Sequence, residues 1–184
     1  MKKYIIVAGC PAVGKKTIAA SLSGMTGMPF LEYSSFLLDA GAASYENNEI
    51  IINEKMAGES FDKLNGKHII SGTYALRLVD PEEVISAVVV RCNPFVLYYR
   101  YLVQNYELRK IRENLTAEFV DRCLAETIEM LGNEKVMQID ATFETPHLSA
   151  ARIDNAIKDG TSLFDEVDWL SYISDYGQLK KFML

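Results

Sequence analysis

Cysteine is scarce in this chain: Cys10, Cys92 and Cys123 are its only 3 thiols in 184 residues. Thiols so few and scattered build neither a disulfide framework nor a zinc ribbon, and they fit a reducing, cytoplasmic setting. The 2 histidines, His68 and His147, stand far apart, which speaks against a histidine-rich metal centre. Apolar runs are short, far below the roughly 18 residues of a membrane-spanning helix. Positive charge is in the minority, 19 Lys+Arg against 25 Asp+Glu, for a net charge of −6. That balance argues against a general nucleic-acid coat, and no nucleic-acid motif is present. Internal repeats and low-complexity linkers are also missing. Lys2 and Lys3 precede an apolar run from Tyr4 to Ala8, but Gly9-Cys10-Pro11 interrupts it, so a secretory signal is not expected.

What is present is an ordinary globular balance, 49% hydrophobic and 24% charged. The length suits a single domain over 1–184, able to bury its core without disulfides or a structural metal. Continuous β-rich runs at Tyr4–Val7, Pro29–Tyr33, His68–Ser71, Ala87–Arg91 and Val136–Ile139 read as strands covered on both faces. Helical periodicity falls at about 15–24, 54–64, 95–105, 116–131 and 147–158, with Pro94 and Thr145-Pro146 as helix starts. Strands alternating with helices predict an α/β domain with a mainly parallel sheet. The stretch from Lys158 onward holds the single tryptophan, Trp169, and is expected to pack back on the domain.

The sharpest pattern is Gly9-Cys10-Pro11-Ala12-Val13-Gly14-Lys15-Lys16-Thr17, directly after the first strand and opening the first helix. Glycines permit a tight turn that aims successive N–H groups at a polyphosphate, the helix N-terminus adds positive potential, and the lysine reaches the β and γ oxygens. Ordinarily Ser or Thr follows that lysine and holds Mg²⁺. Here Lys16 takes the place and Thr17 comes one residue later. The alternative is a glycine-containing strand–helix turn with a solvated lysine pair.

Threonine two places after the lysine resembles the adenylate-kinase form of the loop. Val88-Val89-Val90-Arg91-Cys92-Asn93-Pro94, Val96-Leu97-Tyr98-Tyr99-Arg100, Tyr106 and Lys110-Ile111-Arg112-Glu113-Asn114-Leu115-Thr116-Ala117-Glu118 follow in order, then Val136–Thr142, Thr145-Pro146 and Val167-Asp168-Trp169-Leu170. The series resembles the atypical adenylate kinase-like ATPases of archaea and the eukaryotic nucleus, which take part in small ribosomal subunit maturation. The resemblance implies a P-loop, nucleoside-monophosphate-kinase-like fold: five parallel strands flanked by helices, a monophosphate-binding insertion near 34–66 and a short lid near 104–114. It further implies binding of ATP with Mg²⁺, phosphorylation of AMP or hydrolysis of ATP, and association with a small-subunit ribosomal protein. Nucleotide contacts are implied at Gly9, Pro11, Ala12, Val13, Gly14, Lys15, Lys16, Thr17 and Arg100, with Lys15 the key catalytic cation. Thr17 would serve the metal through water, and Gln104, Arg109 and Lys110 would belong to the lid.

The chain also departs from the family. Ala12 stands where glycine is common and Lys16 where a hydroxyl is. An arginine is expected near Leu38, and an acid and a histidine where the sequence reads Ser71-Gly72-Thr73-Tyr74. A lid arginine and glycine are replaced by Gln104-Asn105. Phosphoryl transfer depends on positioning and charge neutralisation, so lost cations weaken both binding and rate. Lys16 either substitutes as a cation near the phosphates or competes with Mg²⁺ for the same space. Arg100 reads as an adenine or phosphate contact, or as an exposed helix arginine.

Other features have plainer readings. Tyr98, Tyr99, Tyr101 and Tyr106 either stack on a base or partner, or pack on the core. Glu118, Asp121, Glu126 and Glu129 read as a solvated acidic face. Asp80-Pro81-Glu82-Glu83 reads as a helix start, and Asn47-Asn48-Glu49 as a turn. Cys10 reads as a small loop filler, with a helix N-terminus nearby to lower its pKa. Three functions follow: a kinase or ATPase, an assembly factor that keeps the fold and docks a basic ribosomal protein, or a kinase with another small acceptor.

Overall fold

Hydrophobic strands that share two covered faces dictate the centre of this molecule. The computed structural model describes residues 2–46, 49–72 and 74–171. Strands β1 (Lys3–Ala8), β2 (Phe30–Glu32), β5 (Lys67–Ser71), β6 (Val84–Arg91) and β7 (Val136–Asp140) form one parallel sheet in the order β2-β5-β1-β6-β7. Alternate residues serve opposite faces. Ile5, Val7, Ile69, Val88, Val90 and Ile139 meet helices α1 (Lys15–Thr26) and α7 (Pro146–Asp159). Tyr4, Ile6, Ile70 and Ala87 meet α2 (Tyr33–Asp39) and α3 (Glu54–Asp62) through Tyr33, Leu37 and Phe61. Between α2 and α3, β3 (Ala43–Glu46) and β4 (Glu49–Ile52) pair antiparallel, a hairpin that the sequence pattern does not show. Asn47 and Asn48, read as part of a turn, lie outside the described residues, as do Thr73 and 172–184.

The proline starts are as expected: Pro94 opens α4 (Pro94–Val103) behind the Asn93 cap, and Pro146 opens α7 behind Thr145, whose hydroxyl accepts from the Leu148 N–H. Asp80 does cap a turn, but the turn is a single 3-10 unit over Pro81–Glu83 that leads into β6. The helix expected over 116–131 is in fact two. Helix α5 runs Leu108–Phe119 and α6 runs Arg122–Leu131, and Asp121 breaks them at φ 54, a left-handed conformation that Asp tolerates.

The break corrects the acidic face as well. Glu118 is buried, and its Oε1 accepts from Arg91 Nε at 2.8 Å, from the Cys92 N–H at 3.2 Å and from Trp169 Nε1 at 3.3 Å. Arg91, 1% exposed, also donates to Gln138 Oε1 and to Asp121 Oδ1. A buried guanidinium is tolerable only when so fully paired. The chain after α7 returns to the sheet: the Gln138 N–H donates to the Leu163 carbonyl and Asp165 N–H to the Gln138 carbonyl, both near 3 Å. Trp169 ends buried against the core.

Candidate functional site

Loop 9–17 turns from the end of β1 into α1, at the edge where parallel strands of such sheets leave a crevice. Gly9 stands at φ 139, and a Cβ there would lie 2.5 Å from the Val90 carbonyl oxygen, so only glycine lets β6 run this close. Gly14, at φ 111, caps α1. Ala12 holds φ 60, and Asn105 holds φ 55. Both places where the resemblance calls for glycine thus keep the left-handed conformation without it.

Helix α4 grips the loop from outside. Arg100 Nη1 donates to the Ala12 and Val13 carbonyls, each at 3.1 Å, and Tyr101 Oη to the Pro11 carbonyl at 2.9 Å. In a trans peptide the next N–H points opposite to the carbonyl. The amides of Ala12, Val13 and Gly14 therefore face away from α4, an arrangement an anion can use. Lys15 opens α1 and folds back, its Nζ donating to the Cys10 carbonyl at 3.0 Å, and burial lowers the pKa of its ammonium.

The loop floors a cleft of about 1010 Å³. Its walls are Glu32, Tyr33 and Ser34 on one side with Ile50, Ile52, Gly72 and Tyr74, and Gln104, Tyr106, Lys110, Glu144 and Pro146 on the other. Gly72 must be glycine, since a Cβ would sit 2.5 Å from that of Tyr33. Lys16 Nζ reaches Glu32 Oε1 at 3.4 Å. Glu32 also accepts from the N–H groups of Ser34 and Ser35 and from Ser35 Oγ. Burial opposes its ionisation, but those hydrogen bonds and Lys16 prevail and hold its carboxyl below the usual range. Glu144 is bound by Ser149 Oγ and by Arg152, which in turn pairs with Asp165.

The cleft gathers Pro11, Ala12, Val13, Gly14, Lys15, Lys16, Thr17, Arg100, Gln104 and Lys110 from the residues singled out in sequence. Arg100 is half-buried and tied to the loop, not an exposed helix arginine. Arg109 is exposed and pairs with Glu113 at 2.9 Å, away from the cleft lining, and Leu38 is not in that lining either. Of the tyrosines, Tyr101 is fully buried and packs on Tyr106 at 4.9 Å, while Tyr99 is exposed. Cys10 is not activated: burial pushes its thiol up rather than down, and takes those of Cys92 and Cys123 to about 11. Glu32 and Glu144 escaped the sequence reading: Glu32 falls inside the run expected as a strand and Glu144 five residues beyond another.

The donors suit Mg²⁺ poorly. The place beside Lys15 holds an ammonium, and the tip of β5 holds Ser71, whose buried Oγ has no hydrogen-bond partner among the described residues. Glu32 is committed to Lys16 and to the start of α2, which leaves the exposed Thr17 hydroxyl as the free oxygen in the first turn of α1.

A family profile described as "AAA domain" matches residues 5–121. A Thermococcus kodakarensis protein described as "Putative adenylate kinase" is 31% identical over 167 residues, 90% of this chain and 92% of its own length. One of the same description from Methanocaldococcus jannaschii is 28% identical over 184 residues, 94% of this chain and 96% of its own. Among solved structures, the shikimate kinase of Acinetobacter baumannii in complex with shikimate superposes with a TM-score of 0.58 at 15% identity, over 86% of this chain and 94% of that one. The Aquifex aeolicus shikimate kinase gives 0.51 at 14% identity, over 85% and 96%. At such identities the likeness is one of fold, the five-stranded parallel sheet of P-loop kinases with helices on both faces. Among the described residues no helix is long and apolar enough to cross a membrane.

Proposed function

The chain belongs to the AAA-domain family and to the adenylate kinase-like P-loop proteins, and on that premise we propose that it binds ATP over loop 9–17 and transfers its γ-phosphoryl group. The observation that carries this is the loop itself, with carbonyls of Pro11, Ala12 and Val13 tied outward and Lys15 at its closed end. The amides of Ala12, Val13 and Gly14 cradle the phosphates. Lys15 gives up the Cys10 carbonyl for the β and γ oxygens and stabilises the charge that shifts to them as the bond to the γ-phosphorus breaks. Residues 104–114 act as a lid that brings Gln104 and Lys110 over the nucleotide, and 34–66 form the wall facing the acceptor.

AMP or water accepts the phosphoryl group. AMP is supported by the description of the relatives. Water is supported by the wall itself, whose described lining residues Ser34, Ile50 and Ile52 carry no charge to meet a monophosphate. ADP formed from ATP and AMP marks the first, and inorganic phosphate from ATP alone the second. Lys15→Ala abolishes both. Neither product, together with no ATP binding at millimolar nucleotide, rejects the proposal.

A second reading keeps the fold and gives up most of the turnover: an assembly factor docked on a basic small-subunit ribosomal protein. The net charge of −6 and the exposed Tyr99 and Val103 beside the lid and Leu108 within it favour it. Capture of such a protein without any thermal stabilisation by ATP selects it. A cytoplasmic location belongs to both readings and is supported by three free, buried thiols.

A further inference from the structure

Phosphate loops ordinarily hold Mg²⁺ between a hydroxyl next to the loop lysine and an acid on a neighbouring strand. Both places are altered here, and each change adds one positive charge, which together equal the charge of the dication. The hydroxyl has become Lys16. The tip of β5, which flanks β1, ends in Ser71, whose buried Oγ has no hydrogen-bond partner among the described residues, in place of a carboxylate. A dication held by one carboxylate carries a single net positive charge, and so does one lysine.

The geometry points to Lys16 as a built-in substitute for the divalent cation, so that this protein takes a nucleoside triphosphate free of metal. Resting on the ATP reading above, the inference concerns which form of the ligand is bound. Glu32 makes the exchange workable. Strand β2 pairs with β5 in register, placing Glu32 beside Ser71, on the sheet face that carries α1. A carboxylate therefore stands one strand away from the position that lacks one. Its Oε1 draws Lys16 Nζ to 3.4 Å at the mouth of the cleft. The lysine side chain is 63% exposed and that of Glu32 16%, so the carboxylate, anchored on Ser34 and Ser35, is the fixed partner and the ammonium the movable one. An entering polyphosphate competes for that ammonium with several oxygens against one carboxylate. A metal ion in the same space would meet the charge of Lys16 and find Glu32 already engaged.

The test is thermal stabilisation of the full chain by ATP, titrated once in excess EDTA and once in excess Mg²⁺, for the native sequence, Lys16→Thr and Lys16→Arg. The expected result is that the native chain binds ATP at least as tightly in EDTA as in Mg²⁺, where most of the nucleotide carries the metal. Lys16→Thr should bind about tenfold more weakly or worse in EDTA and recover in Mg²⁺, and Lys16→Arg should keep the native pattern. An ATP shift in the native chain that requires Mg²⁺ overturns the inference and leaves nucleotide binding standing. So does Lys16→Thr binding in EDTA as well as the native chain. No shift in either medium overturns nucleotide binding and this inference with it. Lys16 is exposed, and melting without nucleotide confirms that each variant folds.

Discussion

Arg100 Nη1 and the Val13 carbonyl oxygen meet at 3.1 Å across 87 residues of chain, which makes helix α4 part of the phosphate loop rather than its neighbour. Removing that tie with Arg100→Ala frees two loop carbonyls and the amides behind them. A charged hydrogen-bonding group of this kind contributes about 2 kcal/mol, so ATP affinity, read by calorimetry or thermal shift, should fall roughly thirtyfold. Overall melting should change little, because the guanidinium is only partly buried. Unchanged ATP affinity would show that the loop holds its shape alone.

Ala12 pays for its left-handed backbone. A residue with a Cβ loses about 1–2 kcal/mol there, while glycine costs about 0.4–1 kcal/mol through the unfolded chain. Ala12→Gly should therefore stabilise the protein by about 0.5–1 kcal/mol, a rise of about 1–4 °C in melting midpoint. A fall in midpoint contradicts the strain argument.

The pair of Arg91 and Glu118 should respond asymmetrically. Glu118→Gln leaves a buried guanidinium with only Asp121 for charge and should cost about 3–5 kcal/mol in denaturant unfolding. The double change Arg91→Leu with Glu118→Leu should cost less than the single one, because no buried charge is left behind. If the double variant is the less stable, the network contributes more than it costs.

Acid should loosen the return of the chain after α7. Burial opposes ionisation of Asp165, but hydrogen bonds from Arg152 and from the Asp140 N–H prevail, and its pKa lies below the ordinary value. A depressed folded pKa means stability that is complete above the unfolded value, near 3.9, and is lost as pH falls through the folded one. Asp165→Asn should destabilise the protein by about 1–2 kcal/mol at neutral pH and flatten the decline of stability below about pH 4. Parallel pH curves for the two proteins would remove Asp165 from the account.

Much of this architecture is legible in the sequence because its signals are local. The runs at Tyr4, His68 and Ala87 are strands, the prolines at 94 and 146 start helices, and the loop lies where its glycines and lysine put it. What stayed hidden depends on partners far along the chain. Glu118 reads as a surface acid until Arg91, 27 residues earlier, is seen beneath it. The break at Asp121 has no glycine or proline to announce it, and the hairpin of β3 and β4 mixes polar and apolar residues without a clean period. Glu32 gains meaning only from its register with Ser71, which no spacing along the chain reveals.

The place of β1 at the middle of the sheet bears on how the chain is made. Lys3 pairs with Lys67 and Ala8 with Val89, so β1 gains both its neighbouring strands only after more than 80 further residues have been made. At about 5–20 residues per second, those apolar side chains spend several seconds without a partner. During that wait the nascent chain can shelter β1 only with α1, α2 and α3 or with a chaperone. Overproduction should therefore expose an aggregation hazard at residues 4–8, which the finished molecule buries.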